Sequence, residues 1–244
     1  MKHKLLALLT CIMTATYSQA EQKTDVFTTK NGKEVKITNI KHASIRIQYD
    51  GMEIQVDPVA NGVKPATDYT VFPKANIILI THEHRDHFDR EAIAQLRSPA
   101  TTVYTNHAVY NMWNNGLPLA NGDSMVYRSD IKVEAVPAYN TTPGREQYHP
   151  KGRDNGYILT LDGLRIYIAG DTEDIPEMQQ IKDIDVAFLP CNQPFTMTID
   201  QLVSAAKTIK PKVLYPYHYS ETPVTQIVMK LYGSNTKVRI RDYK

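Results

Sequence analysis

The chain has 244 residues, and its 28 lysines and arginines nearly balance its 26 aspartates and glutamates, which gives a formal net charge of +2 at pH 7. Hydrophobic residues make up 42% of the chain and charged residues 22%. This composition excludes collagen-like, coiled-coil and disordered proteins. The balanced charge argues against a protein that binds nucleic acid through broad attraction to phosphates. The length suits one large α/β domain or at most two small ones.

Residues 1–20 have the three parts of a secretory signal peptide. Two lysines precede an apolar run over residues 5–13, and the small residues Ser18 and Ala20 follow it. The run is too short to span a bilayer, so the alternative is a buried N-terminal helix. We expect cleavage near Ala20 and export to the periplasm or the medium, and we expect the mature residues 21–244 to form a single domain.

The first half of the mature chain predicts antiparallel strands followed by strand–helix units. Alternating apolar and polar residues are typical of strands with one solvated face, and Asp50-Gly51 is typical of a tight turn between two of them. A continuous apolar run over residues 76–80 predicts a strand buried on both faces. Asp89 is expected to cap the next helix. The predicted strands cover residues 34–40, 44–49, 52–56, 76–80 and 101–105, and the predicted helices cover 90–97 and 108–113.

The second half predicts the same order of elements. Asp162-Gly163 is typical of a hairpin turn, and Asp200 is expected to cap a helix that Pro211 ends. No linker rich in glycine or serine separates the halves, so we expect one α/β domain with two sheets inside and helices outside. The predicted strands cover residues 132–136, 157–161, 165–169, 186–189, 213–217 and 237–240, and the predicted helices cover 201–209 and 224–231.

The residues best suited to metal binding or acid–base chemistry are concentrated in residues 81–87, directly after the predicted buried strand. This segment reads Thr-His-Glu-His-Arg-Asp-His. Imidazole nitrogens and carboxylate oxygens are ligands that zinc and related divalent ions prefer. In an extended loop the side chains of residues 82, 84 and 86 point to one side, and His87 can reach a neighbouring ion. The pattern therefore predicts a metal site rather than a solvated loop.

Three segments, in this order, resemble the motifs of the metallo-β-lactamase fold, a superfamily of binuclear metal hydrolases. Residues 82–87 match its His-x-His-x-Asp-His motif, Asp171 matches the aspartate that follows a strand, and His218 matches the last histidine. The match extends over nearly the whole mature chain. Within the superfamily, the chain is most similar to the ascorbate-6-phosphate lactonase branch, on the Val-Asp-Pro-Val of residues 56–59 and the Gly-Asp-Thr of residues 170–172.

The resemblance implies a four-layer αββα sandwich of two mixed β-sheets flanked by helices. It also implies two bound divalent ions, with zinc preferred to manganese. His82 and His84 would hold the first ion, and Asp171 would bridge the two. The second ion would be held by Asp86, His87 and His218. Asp57 would accept a hydrogen bond that orients a ligand imidazole, although it could equally form a turn before a proline.

One ligand of the first site departs from the family pattern. Members of the family commonly carry a histidine shortly after the strand that corresponds to residues 132–136, whereas this chain has Asn140 there. The next histidine is His149. We expect His149 to complete the first site, and the alternative is a weak amide ligand from Asn140. If neither bound, the protein would work with one ion.

The long polar loop over residues 139–155 is expected to border the metal site. Its cations, among them Arg145 and Lys151, could receive a phosphate or carboxylate of a small substrate, and a merely solvated loop is an equal alternative. His42 and His107 are interpreted as structural residues.

Three functions are consistent with these residues. The first is a metal-dependent hydrolase in which a metal-activated water attacks a lactone, amide-like or phosphoester bond and Asp86 passes a proton to the leaving group. The second is a di-iron redox enzyme on the same fold, although that branch carries a carboxylate in place of His84. The third is a non-catalytic metal-binding protein. No nucleic-acid partner and no stable membrane span are expected, and the oligomeric state stays open.

Overall fold

The computed structural model describes residues 23–243, so the predicted signal segment over residues 1–20 lies outside the described part. Residues 23–243 form fourteen strands and four α-helices. The strands are β1 (Thr24–Thr28), β2 (Glu34–Lys41), β3 (Ser44–Tyr49), β4 (Met52–Val56), β5 (Ile77–Leu79), β6 (Thr102–Thr105), β7 (Leu117–Pro118), β8 (Ser124–Arg128), β9 (Ile131–Ala138), β10 (Asp154–Leu161), β11 (Leu164–Ile168), β12 (Val186–Pro190), β13 (Val213–Tyr217) and β14 (Lys237–Val238). The helices are α1 (Arg90–Leu96), α2 (His107–Trp113), α3 (Ile199–Ile209) and α4 (Thr225–Lys230). Short 3₁₀ helices cover Tyr69–Val71 and Pro176–Gln180.

The strands form two mixed sheets of seven strands each. The first sheet has the order β1-β2-β3-β4-β5-β6-β7, and the second has the order β14-β13-β12-β11-β10-β9-β8. In each sheet the first four strands along the chain pair antiparallel, and the later neighbours pair parallel. The predicted repeat of antiparallel strands followed by parallel units is therefore confirmed, and so is the two-sheet α/β architecture.

Two apolar layers explain why β5 is a continuous hydrophobic run. Ile77 and Leu79 belong to the main core, which also contains residues of the second sheet such as Phe188. Ile78 belongs to a separate cluster that packs under α1, where Ile93 is fully buried. Because alternate side chains of a strand point to opposite faces, β5 must be apolar at every position.

Helix α3 covers the second sheet with one apolar face. Leu202, Ala206 and Ile209 are buried in the main core. The predicted cap at Asp200 is wrong, because Thr198 caps the helix: its side chain accepts a hydrogen bond from Gln201 N, and the Gln201 side chain accepts one from the Thr198 backbone. The capping box satisfies two backbone donors at once, which a lone aspartate two residues later would not.

Three strands were not expected from the sequence, namely β1, β7 and β8. All three lie at or next to the edge of a sheet, and two of them are short or largely exposed, so their hydrophobic pattern is weak. No helix among residues 23–243 is long and apolar enough to cross a membrane.

Candidate metal centre

The predicted metal-binding residues lie at one edge of the two sheets. Each of them follows a strand or lies in a loop between two strands. Parallel strands end at the same edge of a sheet, so the residues that follow them lie near one another. Asp57 follows β4, residues 80–87 follow β5, Asp171 follows β11, His218 follows β13, and His149 lies in the loop from β9 to β10.

The first group of side chains comprises His82, His84 and His149. Each offers one ligand atom, and these atoms lie within 4.8 Å of one another. His82 Nε2 lies 3.1 Å from His84 Nδ1, and the ring of His149 lies 4.9 Å from both other rings, measured between centroids. The structure thus brings His149 to the two histidines of the motif, although 65 residues separate it from His84 along the chain.

The second group comprises Asp86, His87, His218 and also His42, with ligand atoms again within 4.8 Å of one another. Asp86 Oδ2 lies 3.4 Å from His218 Nε2 and 3.1 Å from His42 Nε2. From the sequence His42 is interpreted as structural, and the structure places its Nε2 beside Asp86 in this group. His107, by contrast, is exposed at the start of α2 and away from both groups.

Asp171 lies between the two groups. One of its oxygens, Oδ1, lies 3.3 Å from His87 Nε2. The other, Oδ2, lies 3.4 Å from His149 Nε2 and 3.3 Å from His218 Nε2. A carboxylate that faces nitrogens of both groups is placed as a bridging ligand would be.

Asp57 fixes the orientation of one imidazole from behind. It is fully buried, and its Oδ2 accepts hydrogen bonds from His87 Nδ1 at 2.8 Å and from Thr81 Oγ1 at 2.7 Å. Its Oδ1 accepts a hydrogen bond from Thr81 N at 2.8 Å. With Nδ1 of His87 donating to Asp57, the Nε2 lone pair of His87 is directed towards Asp171.

Asp154 does the same for His149. Its Oδ2 accepts a hydrogen bond from His149 Nδ1 at 2.9 Å, and its Oδ1 accepts one from Arg153 Nε at 2.7 Å. Asp154 is fully buried at the start of β10. Sequence reasoning missed it. The available signal was an aspartate that opens an apolar strand five residues after a candidate ligand.

Buried polar atoms without partners show that these residues fit divalent cations. His87 Nε2, His218 Nε2 and Asp171 Oδ1 are buried and have no hydrogen-bond partner. Since His87 Nδ1 donates to Asp57, a divalent ion bound between His87 Nε2 and Asp171 would take the place of the Nε2 proton and satisfy both buried atoms. Imidazole and carboxylate are also the ligand types of zinc and manganese sites.

Carboxylates around the site raise the pKa values of two of the histidines. Burial opposes the charged imidazole, but Asp171 raises the pKa of His87 well above its ordinary value. Burial likewise opposes the charge on His149, yet Asp154 and Asp171 raise its pKa to about 9. A divalent ion must displace these protons when it binds, so its affinity is expected to rise with pH.

Asn140 does not join the first group. Its side chain is buried, and its Nδ2 donates hydrogen bonds to the carbonyl oxygens of Phe195 at 2.8 Å and Arg145 at 3.3 Å. The amide is therefore used to hold two loops together, whereas His149 faces the histidines of the motif.

The cations of the loop over residues 139–155 differ in their partners. Lys151 Nζ donates to Glu177 Oε1 at 2.8 Å, and its side chain is 67% exposed. Arg145 Nη1 donates a hydrogen bond to Gln193 Oε1 and lies 3.9 Å from Glu173 Oε1, two residues beyond Asp171. Of these two cations, Arg145 is therefore the one that lies near a residue close to Asp171 in the chain.

Gly170 permits the close approach of the chain before Asp171. Its φ is +65°, and a Cβ there would lie 2.8 Å from the carbonyl oxygen of Asn155. Gly170→Ala is expected to destabilise the protein by about 3 kcal/mol, since steric overlap adds to the cost of a left-handed backbone. At Gly233, where φ is +79° and nothing lies within 4 Å of a Cβ, alanine should cost only about 1 kcal/mol. Urea unfolding of both variants measures the difference, and equal losses would contradict the steric argument.

Asp57→Asn is expected to weaken binding of the second ion by about 10- to 100-fold. The amide group offers one acceptor atom and one donor atom, so it cannot accept all three hydrogen bonds from Thr81 and His87. Calorimetric titration with Zn²⁺ measures the affinity. Asp183→Asn is the control, because this exposed residue has a φ of +56° that asparagine adopts readily. Unchanged affinity in Asp57→Asn would show that Asp57 does not orient a ligand.

Comparisons with known proteins agree with this fold. Residues 36–218 match the family model of the Beta-lactamase superfamily domain. The UPF0173 metal-dependent hydrolase of Ligilactobacillus salivarius (strain UCC118) is 34% identical over 197 residues, which cover 78% of this chain and 87% of that protein.

Two solved structures are also similar. A protein from Parabacteroides distasonis ATCC 8503, assigned as a metal-dependent hydrolase, is 54% identical with a TM-score of 0.88 and covers 91% of this chain and 100% of its own. Igni18, a metallo hydrolase from Ignicoccus hospitalis KIN4/I, is 27% identical with a TM-score of 0.71 and covers 86% and 95%. The nearer resemblance to the ascorbate-6-phosphate lactonase branch stays a prediction. The superfamily and its fold are confirmed, and the chain belongs to the UPF0173 metal-dependent hydrolases of the β-lactamase superfamily.

Proposed function

We propose that this protein is a binuclear hydrolase that holds two divalent ions, zinc in preference to manganese, and cleaves a lactone, amide-like or phosphoester bond of a small substrate. The observation that carries the proposal is the position of Asp171, whose two oxygens face nitrogens of both candidate groups at 3.3 to 3.4 Å. Metal-dependent hydrolysis is also the activity in the name of its 34% identical relative.

Two divalent ions, when bound, supply Lewis-acid activation of water and stabilise negative charge at the scissile group. His82, His84 and His149 would hold the first and Asp86, His87 and His218 the second, with Asp171 between them. The chain itself fixes these donors before the substrate arrives, because buried carboxylates hold His87 and His149 in one orientation. Such preorganisation avoids reorganisation of the site during the reaction.

Asp86 is the carboxylate best placed to carry a proton. Its side chain is 36% exposed, whereas that of Asp171 is 3% exposed. Although burial opposes ionisation, contacts with His218 and His42 lower the pKa of Asp86 far below its ordinary value. A carboxylate with so low a pKa is a weak base, so Asp86 would hold a proton from the attacking water only transiently before passing it to the leaving group, and the water itself is the alternative proton donor.

An anionic group on the substrate would be recognised by Arg145. Its side chain is 31% exposed and lies on the loop that carries His149. Arg145→Ala is expected to raise KM for anionic substrates about 10- to 100-fold, since a hydrogen bond to a charged group contributes roughly 1.5 to 3 kcal/mol. Lys151→Ala should have a smaller effect because Lys151 is largely exposed and paired with Glu177. Steady-state kinetics on matched anionic and neutral substrates test this role of Arg145. An equal rise in KM for both kinds of substrate would contradict it.

The activity is tested with the metal-loaded full-length chain on a panel of one lactone, one N-acyl amide and one phosphodiester. We expect hydrolysis of at least one class, its loss on chelation with EDTA, and its recovery with Zn²⁺ or Mn²⁺. If two ions bind and none of the three classes is hydrolysed, the protein is a metal-binding protein rather than the proposed hydrolase.

We further propose that the protein is exported and cleaved near Ala20. The support is the order of two lysines, an apolar run over residues 5–13 and small residues at positions 18 and 20. Mass spectrometry of the protein from its producing cell should give an N-terminus near residue 21. An intact N-terminal methionine would contradict export by this route.

A further inference from the structure

His42 lies in the tight turn between β2 and β3, where Lys41 pairs with Ser44. Its side chain is 11% exposed, and its Nε2 lies 3.1 Å from Asp86 Oδ2. We propose that His42 is a direct ligand of the second metal ion. This ion would then have five protein side chains as ligands, whereas the first ion would have four. The inference rests on the proposed binuclear function and adds a ligand that the family motifs do not contain.

The distances around Asp86 are those of donors that share one ion. Donors bound at about 2.1 Å are separated by about 3.0 Å when they lie at right angles and by about 3.4 Å in a tetrahedron. His42 Nε2 and His218 Nε2 lie 3.1 and 3.4 Å from the same oxygen, Asp86 Oδ2. His42 Nε2 forms a hydrogen bond with this oxygen, whereas His218 Nε2 has no hydrogen-bond partner, but both nitrogens lie at distances that two donors on one ion would show.

The rings of the two histidines also lie close together. The centroids of His42 and His218 are 3.8 Å apart, and the backbone N–H of His218 donates a hydrogen bond to the carbonyl oxygen of His42 at 3.1 Å. The two residues are therefore in direct contact through both backbone and ring. A shift of the β2–β3 turn would displace a ligand that the family resemblance already assigns.

The backbone at His42 is strained in the same way as at other residues of the site. Its φ is +49°, beside +47° at His218 and +41° at Asp57. A left-handed backbone costs a non-glycine residue about 1 to 2 kcal/mol and persists only where surrounding contacts impose it.

Contacts on both sides of the turn hold it in place. The buried Lys41 Nζ donates hydrogen bonds to three carbonyl oxygens of one neighbouring loop, at positions 60, 63 and 65, at distances of 3.1, 2.7 and 2.8 Å. Ser44 Oγ donates to the carbonyl oxygen of Asp57 at 2.6 Å. The turn is thereby fastened to the residues that support the metal centre, as a ligand-bearing segment must be.

A consequence of the additional ligand is that the two ions differ in coordination. With His42, the second ion has donors from His42, Asp86, His87, His218 and Asp171, which suits a five- or six-coordinate ion with one open position. The first ion has four protein donors, which suits a tetrahedral ion such as zinc. Mn²⁺ accepts higher coordination numbers with carboxylate and imidazole ligands, so it should compete better at the second position.

The alternative role for His42 is a hydrogen bond that orients Asp86 without contact to the ion. Crystals of the full chain saturated with Mn²⁺, with anomalous diffraction to locate the ions, separate the two roles. We expect His42 Nε2 within about 2.4 Å of the second ion. Two bound ions with a longer distance between His42 Nε2 and the second ion would overturn the proposal and leave the binuclear function intact. A chain that binds fewer than two ions would overturn both.

The variant His42→Gln gives a second readout, because glutamine keeps an amide that can donate to Asp86. Loss of a ligand should raise the dissociation constant of the second ion by more than about 100-fold, whereas an orienting contact that glutamine keeps should change it by less than the roughly 10- to 100-fold that complete loss of such a contact costs. Calorimetric titration measures this, with thermal unfolding of the metal-free variant as the test of folding. His107→Gln, at the exposed start of α2, is the matched control and should bind both ions as the unaltered chain does. A change of 100-fold or less in His42→Gln counts against direct ligation.

Discussion

Asp171→Asn is expected to abolish binding of one of the two ions and to lower hydrolysis by about 1000-fold or more. The two carboxylate oxygens of Asp171 are the atoms shared between the groups, within 3.3 to 3.4 Å of His87, His149 and His218. The amide of asparagine keeps the shape of the side chain but loses its charge and presents an N–H₂ donor to a site built from acceptors. Elemental analysis and kinetics on the same preparation measure both effects.

The control for this variant is Asp200→Asn, which makes the same change in the first turn of α3, where the side chain is 82% exposed. It should retain both ions and full activity. If Asp171→Asn also retained two equivalents of metal, Asp171 would not be the bridging ligand and the assignment of the two sites would need revision.

His149→Ala is expected to remove the first ion while the second remains. His149 Nε2 faces the site and Nδ1 is held by Asp154 at 2.9 Å, and without this imidazole the first group among the described residues keeps only His82 and His84. Activity should fall by about 100-fold or more, because one ion alone stabilises less charge in the transition state. Metal content by elemental analysis should fall from two equivalents to one.

Asn140→Ala distinguishes the two candidates that the sequence left open. Asn140 Nδ2 joins the carbonyl oxygens of Arg145 and Phe195, so its loss should reduce stability and leave two bound ions. Loss of an ion in Asn140→Ala but not in His149→Ala would reverse the assignment of the first site.

The sequence predicts those parts of the fold that follow from local pattern. The continuous apolar run of β5 and the Asp50-Gly51 and Asp162-Gly163 turns all correspond to elements of the structure. Helix α3 was predicted with the wrong cap, since Asp200 and Thr198 are both acceptable caps by type and only their position relative to Gln201 decides between them. Edge strands such as β8 bury too few side chains to show a regular alternation of apolar and polar residues in the sequence.

The candidate site was predictable from the residues alone where ligands stand close together in the chain, whereas the isolated Asp171 and His218 were assigned through resemblance to the family motifs. Residues 82–87 place several donors after one strand, which a single sequence shows directly. His42 and Asp154 are isolated in the sequence, and their roles depend on the tertiary contacts that bring β2 and β10 to the same edge as β5. A single histidine in a turn is ordinarily structural, so only the three-dimensional arrangement identifies it.

The most direct test of this account is the number of divalent ions that the purified chain binds tightly. Titration with Zn²⁺ followed by elemental analysis should give two equivalents per chain, because donors from five separate segments converge on two positions around Asp171. A chain that retains no ion after the excess metal is removed would contradict the proposed metal centre.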